Sequence, residues 1–340
     1  MRALVLSLPF LTFASIGCSA PVASPLSGSG DFHDAAEGAS SAALIVLERT
    51  VGSDDVPHSS AVARVIRMRS GTVDEQTLQM LGATIDLPAV GSCGGASPLA
   101  ATTVDLAEAE GPRAAELLDV GSLGLEAQGA QTTLEPRALP DIVDLVTGVF
   151  YSSRSAGLDA LPSRGLYSVR ATGTVGALDT EHTVPAFTVS ATAPGEPLNL
   201  QVDGQDARGE GGIALHAGSA VELVWTLEAT EPSDVVGVKT GSATGTAKLE
   251  PEDLVYVDLL PSSESPDPVG AVRCLFADHG AATLPATAFT EGDGELVRGT
   301  IVVHRLHRET FQVSSDPNTG HIDSGIVRFD FARAVEFSRR

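Results

Sequence analysis

Aromatic side chains, lysine and long apolar runs are scarce in this sequence. Aromatic residues make up 4% of the 340 positions, and the only two lysines are Lys239 and Lys248. No segment beyond residue 17 approaches the ~18 apolar residues that a transmembrane helix needs. The formal net charge of −23 disfavours binding to nucleic acid and adsorption to an anionic lipid surface. We therefore expect neither a nucleic-acid partner nor a membrane-spanning helix.

Motifs that carry chemistry are also scarce. The G-x-S-x-G pattern of serine hydrolases does not occur. His304 and His307 are the closest histidine pair, but residues three apart on a strand point to opposite faces and do not share a metal. Their segment, residues 304–308, is predicted to be a positive strip at an exposed strand end. The sequence thus predicts no catalytic residue, no metal site and no cofactor, and a protein that is not an enzyme.

Two other functions stay open at this stage. One is an extracytoplasmic hydrolase whose site is assembled from residues far apart in sequence. The other is a calcium-stabilised interaction module, because the acidic segments 203–210, 291–295 and 316–323 contain the oxygen ligands that calcium prefers. Segment 316–323 lacks the later glutamate of a calcium loop, and its Asp, Pro, Asn and Gly residues are also turn formers. The simpler interpretation of that segment is a hairpin loop.

The N-terminus carries the most specific signal. Arg2 precedes an apolar run at residues 3–16, and the run ends in the sequence SIGC at residues 15–18. This ending resembles the lipobox of bacterial lipoproteins, in which small residues precede a lipidated cysteine. The resemblance implies a signal peptide at residues 1–17, lipidation of Cys18, and a bacterial outer-membrane lipoprotein that is periplasmic or surface-exposed. An ordinary secretory signal is the alternative, because Ser15 stands where leucine is usual.

Two cysteines remain once Cys18 carries lipid. Residues 18–41 are small, polar and rich in Gly and Pro, which predicts a flexible linker. Cys93 lies in the loop-like sequence GSCGG, and Cys274 lies in an apolar strand-like run. In an oxidising compartment this pair can form a disulfide. The alternative for Cys274 is a small buried hydrophobic residue on a strand face.

Period-two alternation predicts an all-β fold. Val221, Leu223, Trp225 and Leu227 share one strand face, which predicts that Trp225 is buried in a core. Short helices are expected only at residues 74–82 and 104–118, the second interrupted by a Gly-Pro pair. The tyrosines at positions 151, 167 and 256 also lie in apolar runs, so core packing is expected for them rather than a sugar platform. Strands are predicted at residues 42–50, 61–69, 116–125, 131–135, 142–151, 165–173, 184–193, 198–204, 213–216, 220–230, 234–238, 254–260, 271–276, 296–305, 310–313 and 326–337.

A cluster of two prolines and a glycine at residues 193–197 marks a candidate domain boundary. Strand-sized segments joined by turns predict antiparallel sandwiches rather than a parallel sheet with crossover helices. We therefore predict two consecutive Ig-like or fibronectin-like antiparallel β-sandwich domains, at residues 42–194 and 195–340.

Several strand-like segments carry a resemblance to a known group. They are the segments at residues 118–121, 166–169, 184–187, 255–257 and 272–274, together with the strand that carries Trp225. In these segments the chain resembles uncharacterised β-sandwich surface lipoproteins of myxobacterial (deltaproteobacterial) type, over roughly residues 115–305. The resemblance implies consecutive Ig-like or fibronectin-like sandwiches in the cell envelope, and no catalytic residue is carried over. The expected partners are the membrane, through the lipid anchor, and an envelope or extracellular protein.

Overall fold

Strands make up almost all of the regular structure that can be described, with one short 3₁₀ helix at Ala286–Phe289. The computed structural model describes residues 40–68, 85–96, 115–142, 146–153, 161–174, 184, 186–208, 212–226, 254–262, 270–291, 294–313 and 322–340. Within these ranges no helix is long and apolar enough to cross a membrane. The prediction of an all-β fold is confirmed.

One large sheet contains most of the described strands. Its fourteen members are β1 (Ser40–Val51), β2 (Pro57–Met68), β3 (Ser92–Ala96), β4 (Ala115–Leu117), β5 (Leu123–Ala127), β6 (Ala130–Ile142), β7 (Val146–Ser152), β8 (Gly165–Ala171), β9 (Phe187–Ala193), β12 (Ile213–Leu215), β14 (Leu254–Pro261), β15 (Ala271–Ala277), β19 (Arg298–Val313) and β20 (Ile322–Arg339). The strand order is β3-β15-β14-β19-β20-β1-β2-β4-β7-β6-β5-β8-β9, and β12 pairs with β20 outside this path.

Two smaller sheets complete the described strands. The first has the order β11-β10-β13-β16, and the second pairs β17 with β18. Their bounds are β10 (Leu198–Val202), β11 (Gln205–Asp206), β13 (Val221–Thr226), β16 (Ala281–Leu284), β17 (Thr290–Glu291) and β18 (Gly294–Glu295).

The expectation of purely antiparallel pairing is wrong for three strand pairs. β1 and β12 each run parallel to β20, and β4 runs parallel to β7. β1 and β20 come from opposite ends of the described chain, so no tight hairpin forces an antiparallel arrangement between them. The β4–β7 pair requires Gly148, because it has a φ of 122° and a Cβ there would clash with the Leu117 carbonyl oxygen.

Two hydrophobic cores lie against the same face of β20. Alternate residues of a strand share a face, and those of β20 contribute to both cores. Phe329 and Phe331 belong to the first core, and Val335 and Phe337 belong to the second. The first, here the Tyr167 core, also contains Ala43, Ile45, Leu47, Ala63, Val65, Leu123, Leu125, Tyr151, Tyr167, Val169 and Val189. The second, here the Trp225 core, also contains Leu200, Val202, Val221, Leu223, Trp225, Val255, Val257, Leu259, Cys274, Ile301 and Val303.

The predicted domain boundary near residue 194 falls between strands that serve different cores. Strands β2 and β5–β9 contribute to the Tyr167 core, whereas β10, β13, β14 and β15 contribute to the Trp225 core. Strand β20 contributes to both, and its pairing with β1 continues the large sheet across the predicted division. Residues 37–340 form one compact unit. The division into domains 42–194 and 195–340 stays a prediction.

Two arginines hold the segment that the sequence marked as a boundary. Arg49 Nε donates to Glu196 Oε2 over 2.9 Å, and Arg305 Nη1 donates to the Gly195 carbonyl over 3.0 Å. The Glu196 side chain is buried and would leave an uncompensated charge without Arg49. The boundary segment is therefore fixed to the large sheet by charge-assisted hydrogen bonds.

Several predicted elements differ from the structure or fall outside it. Predicted strands 296–305 and 310–313 form one continuous strand, β19, because no Gly or Pro interrupts the sequence between them and β20 pairs along the whole length. The predicted strand 142–151 is instead the end of β6 and all but the last residue of β7. The predicted helix 74–82, residues 104–114 of the other predicted helix and the predicted strand 234–238 lie outside the described residues. β19 and β20 pair as neighbouring antiparallel strands, as the hairpin interpretation of segment 316–323 requires.

Candidate functional site

The two cysteines that the sequence singled out are joined by a disulfide. Cys93 on β3 and Cys274 on β15 are direct cross-strand partners in an antiparallel pair, so their side chains lie on the same face. Cys274 is fully buried in the Trp225 core, and Cys93 packs against the same core. The predicted lipidation site, Cys18, lies outside the described residues.

The disulfide fastens residues 85–96 to the edge of the large sheet. The Gly91 N–H donates to the Leu275 carbonyl over 2.7 Å and continues this attachment next to β3. Ile85 and Leu87, from the same segment, pack against a small apolar cluster on the other face of β14, β15 and β19. That cluster contains Tyr256, Leu275 and Leu306. Residues 85–87, at the start of this segment, thus cover part of the sheet face opposite the Trp225 core.

A buried polar network lies on this second face. It comprises Tyr256 and Asp258 of β14, Arg273 of β15, His304 of β19 and Asp330 of β20 and is called here the Tyr256 network. Period-two alternation explains the placement, since the neighbouring residues Val255, Val257, Cys274 and Val303 point into the Trp225 core. Four strands each contribute one or two polar residues to a single surface.

Asp330 is the acceptor at the centre of the network. The Tyr256 hydroxyl donates to Asp330 Oδ2, and His304 Nδ1 lies 2.8 Å from Asp330 Oδ1. Tyr256 and His304 are cross-strand partners whose rings stack with centroids 4.1 Å apart. Both carboxylate oxygens of Asp330 are therefore engaged by side chains of β14 and β19.

Asp258 and Arg273 form the second half of the network. They are cross-strand partners, and Arg273 donates from Nε to Oδ1 and from Nη2 to Oδ2, each over 2.7 Å. The guanidinium carbon also lies 4.8 Å from the centre of the Tyr256 ring, within cation–π range. Arg273 Nη1 donates to the Asp86 carbonyl over 3.2 Å. This contact links the network to the covering segment 85–96.

The network fixes the protonation states of its members. Burial, the nearby Asp330 charge and the hydrogen bond to Asp330 raise the pKa of Tyr256 well above its usual value. Burial acts to raise the pKa of Asp330, but His304, the Tyr256 hydrogen bond and Arg328 together hold that pKa below its usual value. The Asp258 hydrogen bonds raise the pKa of Arg273, against the effect of burial. The site therefore holds a neutral phenol, an ionised carboxylate and a charged guanidinium.

Three further arginines lie on the same face beyond Asp330. Arg308 of β19 and Arg328 of β20 are direct cross-strand partners, and Arg64 of β2 lies one strand beyond β1. Burial, followed by repulsion from Arg328, lowers the pKa of both Arg64 and Arg308. These residues are called here the arginine group. Like charges directly opposite each other on neighbouring strands destabilise a sheet.

The predicted exposed positive strip at residues 304–308 is wrong. The segment lies inside β19, whose residues 304–306 pair with β14 on one side and β20 on the other. Arg305 is buried, and it donates from Nε to Asp278 Oδ2 over 2.7 Å. The sequence showed the positive charges, but it did not show that the strand is internal to a large sheet.

His304 and His307 do point to opposite faces, as predicted. His304 contacts Asp330 in the Tyr256 network, whereas His307 lies near Phe329 of the Tyr167 core and 3.4 Å from Glu309 Oε1. The pair therefore does not converge on one position.

The predicted burial of Trp225 is confirmed. Trp225 is 3% exposed and belongs to the same core as Val221 and Leu223. Its Nε1 donates to Asp278 Oδ1 over 2.8 Å, and the other oxygen of Asp278 accepts from Arg305. The indole is thus packed among aliphatic side chains and also satisfies its only donor.

The three tyrosines are buried, as predicted. Besides Tyr256, the Tyr151 hydroxyl donates to Asp119 Oδ1 and the Tyr167 hydroxyl donates to the Pro162 carbonyl, both over 2.6 Å. Burial raises the pKa of both phenols above the usual value. Among these residues and Trp225, none presents a flat exposed ring of the kind that binds sugars.

Two aspartates of the acidic segment 203–210 accept hydrogen bonds from backbone N–H groups. Asp203 Oδ1 accepts from the Glu222 N–H over 2.8 Å, and Asp206 Oδ1 accepts from the Arg208 N–H over 2.9 Å. Residues 292–293 and 316–321 of the other two segments lie outside the described ranges. In the part of the chain that is described, no group of three or more His, Cys, Asp or Glu side chains is placed to hold a metal ion.

Sequence reasoning missed the Tyr256 network, although a signal for it was present. Strands β14 and β15 are strongly apolar, yet each carries one charged residue, and β19 and β20 carry several charged or histidine residues between apolar ones. Such residues in neighbouring buried strands must face each other, because unpaired buried charges are too costly. The missing information was the strand order, which decides that Asp258 meets Arg273 and that His304 approaches Asp330.

Comparisons with known proteins give no family. The chain matches no protein-family model and no curated protein. Among solved structures it has a weak likeness to the Mu homology domain of Danio rerio Fcho1 with bound Eps15 peptide. The identity is 10%, the TM-score is 0.26, and 89% of this chain and 97% of that chain are covered. A yeast delta-COP-I mu-homology domain, complexed with a Dsl1 peptide, gives 12% identity and a TM-score of 0.22, with coverage of 89% and 98%. At such TM-scores these likenesses say nothing about what this chain binds.

Proposed function

We propose that this chain is a lipid-anchored protein of the bacterial cell envelope with a non-catalytic binding, adhesion or structural role. The proposal places it at the outer membrane, in the periplasm or on the surface. Its first support is the sequence at residues 15–18, where an apolar run with a preceding arginine ends in a lipobox-like SIGC. Cys18 is the residue that would carry the lipid.

The observation that carries the proposal is the disulfide between Cys93 and Cys274. Disulfides persist in exported proteins and are rare where glutathione and thioredoxin keep thiols reduced. The two cysteines are separated by 181 positions, and they meet as direct partners in the sheet. This support for export is independent of the leader sequence.

A pair of consecutive Ig-like or fibronectin-like sandwiches, related to the myxobacterial surface lipoproteins, is the finer form of the fold that we propose. Separate Tyr167 and Trp225 cores support two packing centres. The small sheet that contains β13 contributes Val221, Leu223 and Trp225 to the Trp225 core, opposite β14 and β15 of the large sheet. Sheets packed through one apolar layer are the arrangement of a sandwich.

The non-catalytic role is supported by how the polar side chains are used. A nucleophile or general acid–base needs a free group at a cleft, with a pKa near the working pH. In the Tyr256 network the phenol donates to Asp330, its pKa is moved further from neutrality, and Arg273 is taken up by Asp258. These groups satisfy each other and are arranged for stability or recognition rather than for turnover.

The proposed partner, besides the membrane, is an envelope or extracellular protein with a cationic surface. The formal net charge of −23 supports this choice, because complementary charge accelerates and orients association. The same charge opposes nucleic-acid binding.

Metabolic labelling with palmitate tests the proposal on the full-length chain in a bacterial host that processes lipoproteins. The wild type should be labelled and should fractionate with membranes. Cys18→Ala should lose the label and be either released or unprocessed, whereas the neighbouring control Ser19→Ala should remain labelled. If the wild type is processed normally but carries no palmitate, the lipoprotein proposal is wrong.

A further inference from the structure

We propose that the arginine group forms a binding site, centred on Arg308, for a small ligand with a carboxylate or phosphate group. This inference rests on the binding role proposed above, and it adds a chemical class of ligand. The site lies beside the Tyr256 network, on the face of the large sheet opposite the two cores.

The register of the strands brings the three arginines together. Arg308 and Arg328 are directly opposite each other on β19 and β20. On the far side of β20, Arg328 is aligned with Val46 of β1, and Val46 is aligned with Val62 of β2, two residues from Arg64. Electrostatic repulsion from Arg328 contributes to lowering the pKa of both Arg64 and Arg308. The guanidinium groups therefore lie within electrostatic range of one another.

Two described carboxylates on the same face of the sheet, Asp330 and Glu48, have other partners. Asp330 accepts from Tyr256 and lies at hydrogen-bond distance from His304. Glu48, which is aligned with Asp330 on β1, is exposed and accepts from the Ser60 hydroxyl over 2.9 Å. The Asp330 carboxylate is thus already engaged by side chains of β14 and β19, and the three arginines lie on the same face of the sheet.

Arg308 supplies the unused hydrogen-bonding capacity. Its Nε is buried and has no hydrogen-bond partner, which is costly for a charged group. Arg64 and Arg328 each take part in other interactions, so they contribute charge while Arg308 contributes the donor. Arg64 and Arg308 are only partly buried, which leaves part of each side chain open to solvent.

A small oxyanion fits these properties. The guanidinium group presents its donors in a planar fork that matches two oxygens of a carboxylate or phosphate. Such a ligand would satisfy the Arg308 Nε and reduce the repulsion among the three arginines. It would also offset the cost of burying like charges on adjacent strands.

Isothermal titration calorimetry of the full-length chain in detergent tests this site, with inorganic phosphate and acetate as probes at constant ionic strength. The wild type should give saturable binding of one of these anions. Arg308→Gln should weaken that binding by at least about tenfold, because one charge-assisted interaction is lost. The control Arg170→Gln, which removes an exposed arginine of β8, should leave the binding unchanged. Stronger binding of phosphate or of acetate identifies the ligand class, and either result supports the site.

Two results would overturn the inference. One is the absence of saturable heat with both anions, and the other is an unchanged affinity in Arg308→Gln. If Arg308→Gln fails to fold, Arg308→Lys keeps the charge but loses the planar fork, and it should bind the anion more weakly than the wild type. Palmitate labelling depends on Cys18 and not on these arginines. A labelled protein that binds neither anion would therefore refute this inference alone.

Discussion

The two faces of strands β14, β15, β19 and β20 are both largely buried, but they are stabilised in different ways. One face presents aliphatic and aromatic side chains to the Tyr167 and Trp225 cores. The other presents Tyr256, Asp258, Arg273, His304 and Asp330, which hydrogen-bond to one another. A buried apolar face tolerates hydrophobic substitutions, and their effects on stability largely add. A buried polar network is stable only when each of its members is hydrogen-bonded. The two faces should therefore respond differently to mutation and to pH.

Removal of Trp225 should have the largest effect, and it tests the apolar face. Trp225→Ala should lower the free energy of unfolding by about 3–5 kcal/mol, because it loses transfer free energy and leaves a cavity. Trp225→Phe should be tolerated better, since Asp278 keeps its bond to Arg305. Thermal and denaturant unfolding measure both variants. If the fluorescence of Trp225 in the native protein is that of a solvent-exposed indole, and the alanine variant is as stable as the wild type, this face is exposed.

Loss of the disulfide tests the segment that covers the polar face. Cys93→Ala should cost about 2–4 kcal/mol, mainly because the unfolded chain regains freedom. The segment at residues 85–96 should also become susceptible to proteolysis, since the disulfide and the Gly91 backbone bond fasten it to β15. Limited proteolysis with and without reductant measures this effect, and the reduced wild type is the matched comparison. Equal cleavage rates in both states would mean that the disulfide does not hold the cover.

Asp330→Asn tests the charge balance of the polar face. We expect a loss of about 2–3 kcal/mol, because the amide leaves the Tyr256 and His304 bonds imperfect and the arginines without their carboxylate. The pKa of Asp330 is held below its usual value of 3.8, so the folded state favours the ionised carboxylate more than the unfolded state does. Its contribution is therefore complete above pH 3.8 and is lost as the pH falls through the lower folded pKa.

The pH dependence separates this charge effect from a packing defect. Denaturant unfolding of wild type and Asp330→Asn should show a stability difference that is constant above about pH 5 and shrinks as the pH falls below 3.8 towards the lower folded pKa. Leu223→Ala is the matched control, because Leu223 is buried in the Trp225 core and its side chain has no polar atom, so its defect should keep its size over that range. A pH-independent difference for Asp330→Asn would contradict the assignment of Asp330 as an ionised acceptor.

Disruption of the Arg49–Glu196 ion pair should have the smallest effect on stability. It tests whether buried charges on the apolar side also depend on their partners. A double-mutant cycle with Arg49→Met and Glu196→Gln should give a coupling free energy of about 1–2 kcal/mol. The pair is largely buried, with side-chain exposures of 12% and 10%, and it holds the segment between the two cores. A coupling near zero would show that this segment is held by packing alone.

The sequence predicted the apolar face well and the polar face badly. Strict alternation identified β13, and with it the burial of Trp225, and it identified β15 with Cys274. On the opposite faces of these strands, Glu222 of β13 is exposed, whereas Arg273 of β15 is half-buried and donates to Asp258. Alternation shows which residues share a face, but it does not show whether a second layer covers the other face.

Local sequence patterns also did not show the order of the strands in the sheet. β1 and β20 pair in parallel although almost the whole described chain separates them, and no turn signal records this pairing. The meeting of Asp330 with Tyr256 and His304 follows from that order. The disulfide was the exception, because two cysteines left over from the lipidation site offered one intramolecular pairing.

Alkaline titration of the tyrosines tests most directly the central claim that both faces are closed to solvent. The chain has three tyrosines, and Tyr151 and Tyr167 lie in the apolar core while Tyr256 lies in the polar network. Burial raises the pKa of all three, so no phenolate absorbance should appear near pH 10, the usual pKa of tyrosine, while the protein is native. Phenolate should appear only together with the loss of native Trp225 emission. Reversible ionisation of one tyrosine near pH 10 in the native protein would contradict the account.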